Sequence, residues 1–215
     1  MEKRKIRNAP KRVLLLLLCA MLLQGAAPAG PAVLQAQAAA VKKGLKKEGK
    51  YYYYYAKGQR VKNAWKTVKG RRYYFGKNGR AYAAPNMKSQ DYTKNVVVKK
   101  IGKYSYGFDN KGRMVKSGYY NDPQKYDKNG NTMTYYFNKK GRLQTKQSKA
   151  IRKAGDYRAD AAAVRAILGE PLREEALNSC FEEDGDDYRL VYRTVTVTIH
   201  RYTDGREIVF GIFPA

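Results

Sequence analysis

The 215-residue chain has few of the side chains that most metal centres and active sites need: one histidine, two cysteines and one tryptophan. His200, Cys19 and Cys180 are too few to build a cluster of histidine and cysteine ligands around a metal ion. The usual Ser-His-Asp and Cys-His catalytic sets would both have to use His200. The sequence therefore favours a chain without a metal ion, a cofactor or catalytic residues.

Long hydrophobic runs are also missing, because the longest, Val13 to Leu23, has eleven residues and a membrane helix needs about 20. Six basic residues between Lys3 and Arg12 precede this run, and small residues follow it as far as Ala38. This order is typical of a secretory signal peptide. We expect a signal peptide at residues 1–38, a secreted mature protein, and no membrane span after signal removal.

Acidic residues are scarce in the first part of the mature chain. Residues 41–153 contain 31 basic and 5 acidic residues, whereas residues 154–215 contain 7 basic and 12 acidic residues. Such a step in composition marks a domain boundary. It predicts a first domain at 41–146, a linker at 147–155 and a second domain at 156–215. The basic domain repels itself unless a partner supplies negative charge.

Aromatic residues and glycines recur along the basic domain. Four segments superpose on an aromatic residue four positions before a glycine: Tyr54 to Gly58, Phe75 to Gly79, Phe108 to Gly112 and Phe137 to Gly141. Each has a second glycine and a tyrosine-rich stretch upstream. Turns such as Lys77-Asn78-Gly79 are expected to join two short strands into a β-hairpin. One hairpin cannot bury its aromatic face alone, so we predict a stacked array.

The stretches that repeat resemble a known family. GKYYYYYAKGQRVKNAW, GRRYYFGKNGRA, GKYSYGFDNKGRMVKSGYY and TYYFNKKGRLQT are similar to the cell-wall-binding repeats of secreted bacterial proteins, which include choline-binding and glucan-binding modules. The resemblance covers residues 44–146. It implies that ligands lie between successive hairpins, and in choline-binding members the aromatic cage attracts a quaternary ammonium by cation-π interaction.

The chain departs from the pattern that this resemblance implies. A tryptophan is implied three positions before each aromatic anchor, where this sequence has Tyr51, Arg72, Ser105 and Thr134. Arg72 would repel a choline headgroup. The interface between the first two hairpins, with Tyr51, Trp65 and Tyr73, keeps the most of the implied cage.

Two sets of residues are candidates for ligand binding. The aromatic set is Tyr51, Tyr53, Trp65, Tyr73, Tyr74, Tyr104, Tyr106, Tyr119, Tyr135 and Tyr136. The polyanion-binding set is Lys50, Arg71, Arg72, Lys103, Arg113 and Arg142. The rings either stack on sugars or fill a small core, and both hold if alternate residues face opposite sides of a strand.

A polyanion is the partner that the charge predicts. A bacterial cell-wall polymer, either teichoic acid or a glycan, ranks first because the chain is expected to be exported. Nucleic acid fits the same physics, but export argues against it, so no nucleic acid is expected. In a third interpretation the lysines only keep a tyrosine-rich array soluble.

The acidic domain has a different pattern. Asp160 is a plausible N-cap for a helix at Ala161 to Leu168. Alternating residues predict strands at Tyr188 to Tyr192, Thr194 to His200 and Glu207 to Phe213, with the helix covering the face of Val195, Val197 and Ile199. The predicted fold is therefore mainly β: a solenoid-like array of β-hairpin repeats followed by a small α+β domain, a helix plus a three-stranded antiparallel sheet.

The order of elements in this domain, together with the motif LGEP at residues 168–171, resembles small modules typified by the β-lactamase-inhibitor-protein repeat. That resemblance implies a protein partner and no chemistry. As the alternative, His200 beside Glu207 or Asp204 is half of a general-base unit, which would make the chain an accessory or cryptic hydrolase with a catalytic C-terminal domain. We favour a solvent-facing histidine, and a solvated turn for the acidic residues at 182–187.

Overall fold

The computed structural model describes residues 41–86, 94–178 and 182–215. The predicted signal peptide at 1–38, Cys19 and Cys180 lie outside these residues. Within the described ranges no helix is long and apolar enough to cross a membrane.

Nine short strands make up the first part of the described chain. They are β1 (Gly44–Glu48), β2 (Tyr51–Ala56), β3 (Gln59–Arg60), β4 (Ala64–Val68), β5 (Arg71–Phe75), β6 (Val97–Ile101), β7 (Tyr104–Phe108), β8 (Gly118–Tyr126) and β9 (Thr132–Phe137). Four antiparallel hairpins result, β1-β2, β4-β5, β6-β7 and β8-β9, and β3 extends the first. We call strands β1 to β9 the hairpin array. The predicted mainly β class is confirmed.

The hairpins turn at a different glycine from the one expected. The strands of each hairpin are joined around Gly49, Gly70, Gly102 and Gly130, which all have positive φ. The segment Lys77-Asn78-Gly79 instead follows the second strand, where the Gly79 amide donates to the Gly76 carbonyl at 2.9 Å. The prediction that this glycine turn joins the two strands of the hairpin is wrong for the second repeat, where the turn carries only the single antiparallel bridge from Phe75 to Ala81. In the first repeat the equivalent turn at Gly58 does join β2 to β3. Both turns of a repeat carry glycine, and the sequence does not rank them.

The second turn links each hairpin to the one before it. After this turn the Ala81 amide donates to the Tyr52 carbonyl at 2.8 Å, and Met114 donates to Arg72 at 2.8 Å. Leu143 repeats the pattern on Ser105 at 2.9 Å. These bonds stack the hairpins in order along the chain. They also make Tyr52, Arg72 and Ser105 equivalent positions. The sequence superposition had instead aligned Tyr51 with Arg72 and Ser105, so the first repeat is shifted by one residue.

With that register, one aromatic anchor per repeat lies in the core of the array. Phe75, Phe108 and Phe137 are fully buried and Tyr55 nearly so. Gly107 shows how closely the hairpins pack, because a Cβ atom there would lie 2.6 Å from Phe137 Cζ and from Val96 Cγ2. A side chain at that position therefore fits only if its neighbours shift.

The C-terminal part contains two helices and one sheet. The elements are α1 (Thr145–Ala154), α2 (Ala161–Leu168), β10 (Arg173–Ala176), β11 (Asp186–Val191), β12 (Val195–Arg201) and β13 (Glu207–Pro214). The sheet is antiparallel in the order β10-β11-β12-β13. The predicted helix and three strands are present, and β10 and α1 were not foreseen. Val164 of α2 packs with Val195, Val197 and Ile199 as expected.

The segment predicted to be a linker at 147–155 is mostly helical. Ser148, Ile151 and Ala154 of α1 are buried on one face, and Ile151 and Ala154 belong to the core of the C-terminal sheet. A single isoleucine among lysines, glutamine and serine gives little hydrophobic periodicity. For that reason the sequence pattern did not indicate a helix.

The last hairpin is hydrogen-bonded to the C-terminal sheet. The buried Asn121 side chain of β8 donates to the Ile212 carbonyl of β13 at 2.9 Å, and the Thr132 hydroxyl donates to the same carbonyl at 2.9 Å. The Arg152 guanidinium of α1 donates to the Thr134 carbonyl at 2.9 Å. The end of the array and the C-terminal sheet are therefore joined by specific bonds.

Candidate functional site

The candidate aromatic residues divide into buried and partly exposed rings. Tyr53, Tyr73 and Tyr135 are buried. The others are partly exposed: Tyr51, Trp65, Tyr74, Tyr104, Tyr106, Tyr119 and Tyr136. Successive strand residues point to opposite faces of a sheet, so the same tyrosine-rich strands supply both core and surface. The core interpretation therefore applies to Tyr53, Tyr73 and Tyr135, and ligand stacking stays a prediction for the partly exposed rings.

One group of rings joins the second and third hairpins. The Trp65 centroid lies 5.3 Å from Tyr74, 5.0 Å from Tyr106 and 5.9 Å from Phe108. Tyr82 stacks on Tyr74 at 5.4 Å. We call Trp65, Tyr74, Tyr82, Tyr106 and Phe108 the aromatic cluster. The contacts of Trp65 with Tyr74 and Tyr106 are edge-to-face, a geometry that aromatic pairs prefer.

The aromatic cluster is not at the interface that sequence reasoning selected. Among the ring contacts between described residues, none joins Trp65 to Tyr51 or Tyr73. Tyr82 was missed because it lies after the second turn, outside the tyrosine-rich strands. A hydrogen bond after the second turn explains its position, because the Tyr82 amide donates to the Tyr74 carbonyl at 3.0 Å.

The chain's own cations lie against the aromatic cluster. The Arg72 guanidinium carbon is 4.4 Å from the centroid of Trp65, and the Lys99 ammonium is 5.8 Å from that of Tyr82. A guanidinium over a tryptophan ring is the favourable cation-π arrangement. A quaternary ammonium at this face would have to displace Arg72.

Further arginines stack on tyrosines along the array. Arg80 lies 3.9 Å from the Tyr51 centroid, and Arg142 lies 3.7 Å from the Tyr104 centroid. In the first repeat Arg60 lies 3.9 Å from Tyr53. A guanidinium stacked on its flat face can offer its edge N–H groups to an oxyanion, but Arg60 already donates its own to the Tyr55 hydroxyl and to Glu48. Arg60 and Arg80 were not among the candidates, although an arginine after the turn glycine was a visible signal.

The polyanion-binding candidates differ in their surroundings. Lys50, Arg71, Arg72 and Lys103 are exposed, and Arg113 and Arg142 are partly buried. The ammonium groups of Lys50 and Lys103 lie beside Tyr51 and Tyr104, at 5.4 and 5.3 Å from the centroids. Arg113 differs from the rest, because its Nε is 2.6 Å from Asp109 Oδ2.

Acidic side chains within the described part of the array are already engaged. Glu48 pairs with Lys42 and Arg60, both at 2.7 Å, and hydrogen bonds from Lys42 and Tyr55 lower its pKa to about 2. Asp109 holds Arg113, and Asp127 accepts the Asn129 and Asn131 amides.

Asp122 completes this group of acids. Its side chain is buried, and burial raises its pKa. Among the described residues, none of the ion pairs involves the stacked arginines Arg72, Arg80 or Arg142.

His200 does not face solvent, so that prediction is wrong. It is fully buried, with Nδ1 2.8 Å from Asp187 Oδ1 and Nε2 2.5 Å from the Asp184 carbonyl oxygen. The register of β12 against β13 shifts between Thr198 and Ile199, and both Ile199 and His200 are buried. This irregularity breaks the strict alternation on which the prediction rested.

The acids near the turn at 182–187 are also engaged in part. Glu182 forms an ion pair with Arg158, and Asp187 contacts His200. Among the described residues no three His, Cys, Asp or Glu side chains come together to hold a metal ion.

No family model matches the sequence. No curated protein matches it either. Solved structures do resemble parts of the chain. The choline binding domain of a Streptococcus pneumoniae protein is 20% identical, with 49% of this chain and 99% of that chain covered and a TM-score of 0.33.

Two larger proteins are also similar. A pneumococcal cell wall endolysin from phage Cp-1, complexed with choline, is 14% identical with a TM-score of 0.34, and 77% of this chain covers 36% of it. Choline binding protein F from Streptococcus pneumoniae is 16% identical with a TM-score of 0.32, and 77% of this chain covers 41% of it. The structural neighbours of the chain thus include choline-binding and cell-wall-binding repeat proteins, the group that its repeat motifs resemble.

Proposed function

We propose that the protein is secreted and that the hairpin array attaches it to an anionic polymer of the bacterial cell wall, either teichoic acid or an acidic glycan. The observation that carries this proposal is a set of cations that stack on aromatic rings and form no ion pair with a described acid, Arg72, Arg80 and Arg142. Cations fixed in this way bind oxyanions with less loss of side-chain freedom than mobile lysines do.

The overall charge favours the same partner. With 31 basic and 5 acidic residues at 41–153, the attraction to a polyanion is strong at low ionic strength and weakens as salt screens it. Partly exposed rings such as Tyr104, Tyr106 and Tyr136 add faces on which sugars can stack. Anionic groups and sugar rings occur together in cell-wall polymers.

The surroundings of His200 argue against a catalytic role for the C-terminal domain. A general base needs a ring nitrogen that can reach a substrate proton, and both nitrogens of His200 are engaged by Asp187 and the Asp184 carbonyl in a fully buried position. We therefore propose binding without catalysis.

For the C-terminal domain we propose a protein partner. Leu172 is 73% exposed and borders a cleft of about 250 Å³ that Ile167, Leu168 and Tyr192 also line. A large exposed apolar side chain beside a concave surface supports a protein contact at this position.

Retention on purified cell walls tests the main proposal. We expect the mature protein to bind walls at low salt, to elute as salt rises, and to bind less to walls from which teichoic acid has been removed. Free choline at millimolar concentration should release none of it. Failure of the protein to bind either wall preparation at low salt would refute the proposal.

A further inference from the structure

Arginines recur at one equivalent position in successive repeats, with different surroundings. Arg80, Arg113 and Arg142 each follow the glycine of a second turn, and the next residue donates its amide to the preceding hairpin. Arg80 and Arg142 form single antiparallel bridges with Tyr53 and Tyr106 of the preceding hairpin, and the ring that each stacks on lies two residues before that partner, at Tyr51 and Tyr104. The same position in the second interface is Arg71. The first and third interfaces therefore offer a ring, and the second offers a like charge.

The three arginines have different contacts at the three interfaces. Arg80 and Arg142 lie 3.9 and 3.7 Å from the centroids of Tyr51 and Tyr104. Neither forms an ion pair with a described acid, and Arg80 Nε donates to the Tyr53 hydroxyl at 3.3 Å, which leaves its two terminal nitrogens for a ligand. Arg113 has no ring to stack on at this position and pairs with Asp109 at 2.6 Å.

A single residue in the second turn distinguishes the repeats. The position of Asp109 is occupied by Gly76 in the second repeat and by Asn138 in the fourth. Asp109 Oδ1 accepts the Lys111 and Arg113 amides at 2.9 and 2.8 Å. Asn138 Oδ1 accepts the Lys140 and Arg142 amides at 2.9 and 3.1 Å. The two side chains build the same turn, and only Asp109 adds a charge that holds the arginine.

We propose that Arg80 and Arg142 are two oxyanion-binding points for the wall polymer, and that Asp109 keeps Arg113 from being a third. This inference rests on the proposed function and names the residues that determine its ligand contacts. A stacked guanidinium offers two parallel N–H groups to the two oxygens of a phosphodiester or a carboxylate. Arg113 offers part of the same fork to Asp109 instead.

Exchanging the two turn residues tests the assignment with little change of shape. Asp109→Asn should free Arg113 while keeping the turn, and Asn138→Asp should place a carboxylate beside Arg142. Binding of the mature protein to poly(glycerol phosphate) and to polygalacturonate, with dextran as the neutral polymer, is measured over a range of salt concentrations. The two charged polymers distinguish a phosphodiester from a carboxylate as the source of the oxyanion.

We expect Asp109→Asn to bind a charged polymer about fivefold more tightly and Asn138→Asp about fivefold more weakly. The slope of log Kd against log salt should change by about one in opposite directions. Matched controls make the same change of charge at positions where no arginine pairs with the substituted side chain. Asp127→Asn neutralises an acid that accepts two turn amides in the same way, and Gln147→Glu adds an acid at an exposed position.

The assignment is overturned if each exchange has no larger effect than its control while the unchanged protein binds. If the unchanged protein binds neither charged polymer nor purified walls, the proposed function itself fails. Should an exchanged variant unfold, Tyr104→Leu removes the ring under Arg142 and leaves the charge in place. It should bind about threefold more weakly, whereas Tyr126→Leu, at an exposed tyrosine, should not. Equal binding by these two variants also overturns the assignment.

Discussion

His200 Nδ1 lies 2.8 Å from Asp187 Oδ1, and both side chains are fully buried in the C-terminal sheet. The second ring nitrogen lies 2.5 Å from the Asp184 carbonyl oxygen. Each nitrogen therefore has an acceptor beside it, and only the doubly protonated imidazolium donates to both. Burial lowers the pKa of His200, but the bonds to Asp187 and the Asp184 carbonyl raise it more, so the net change is upward.

This pair predicts how stability depends on pH. The pKa of His200 in the folded protein is raised above its usual value of 6.5. Its contribution is therefore complete below the unfolded pKa and is lost as pH rises through the folded pKa. Each unit of the rise is worth about 1.4 kcal/mol. We expect the difference in unfolding free energy between the protein and His200→Gln to shrink as pH increases from 5.5 to 9, measured by urea denaturation. A constant difference would contradict a charged His200.

Removing the histidine should affect stability and leave binding unchanged. His200→Ala leaves Asp187 buried beside the cavity, and breaking a buried ion pair costs about 3 to 5 kcal/mol. The binding of folded protein to purified walls should stay the same, because His200 lies in the C-terminal sheet, away from the hairpin array. Thermal unfolding and wall retention measure the two effects. Loss of a hydrolytic activity with the fold intact would instead support the catalytic alternative.

The sequence was sufficient to predict the repeats but not their register. Two glycine turns per repeat and a run of five tyrosines at 51–55 are compatible with more than one superposition, and only the amide of Ala81 bonding to Tyr52 decides between them. The helix at Ala161–Leu168 was predictable because Asp160 caps it and an apolar face follows. Helix α1 was not, because one buried isoleucine produces almost no pattern.

The candidate site was predictable by residue type and not by contact. An arginine after the turn glycine is visible in the sequence, but the ring that it stacks on belongs to the preceding hairpin. For Arg80 that ring is Tyr51, 29 positions earlier in the chain. Similarly, Trp65 and Tyr106 meet across 41 positions. Contacts between hairpins depend on the length of each insertion, which single-sequence patterns do not constrain.

Any side chain added at Gly107 should destabilise the hairpin array. A Cβ atom at Gly107 would lie 2.6 Å from Phe137 Cζ and 2.7 Å from Val115 Cγ2. Gly107→Ala should therefore destabilise the array by about 1 to 3 kcal/mol through overpacking. Gly102→Asn is the control, because its Cβ meets nothing within 4 Å and asparagine tolerates positive φ. Chemical denaturation followed by circular dichroism compares the two variants. If Gly107→Ala is as stable as the unchanged protein, hairpins three and four are not packed as described.

Arg72 predicts the response of the array to a quaternary ammonium ligand. Its guanidinium lies 4.4 Å from the centroid of Trp65, the only tryptophan in the chain. Tryptophan emission therefore reports on this ring alone, and choline binding can be followed by titration. We expect no change in emission up to millimolar choline in the unchanged protein. In Arg72→Ala the face of Trp65 is uncovered, and the like charge that opposes an ammonium is gone.

The variant should therefore show a saturable change in emission with choline, and Arg71→Ala, which removes a neighbouring charge that does not cover Trp65, should show none. Salt at the same ionic strength controls for screening. A response to choline in the unchanged protein would mean that Arg72 yields its position to the ligand. The absence of a response in all three proteins would mean that the aromatic cluster packs too tightly to admit an ammonium group, whatever covers Trp65.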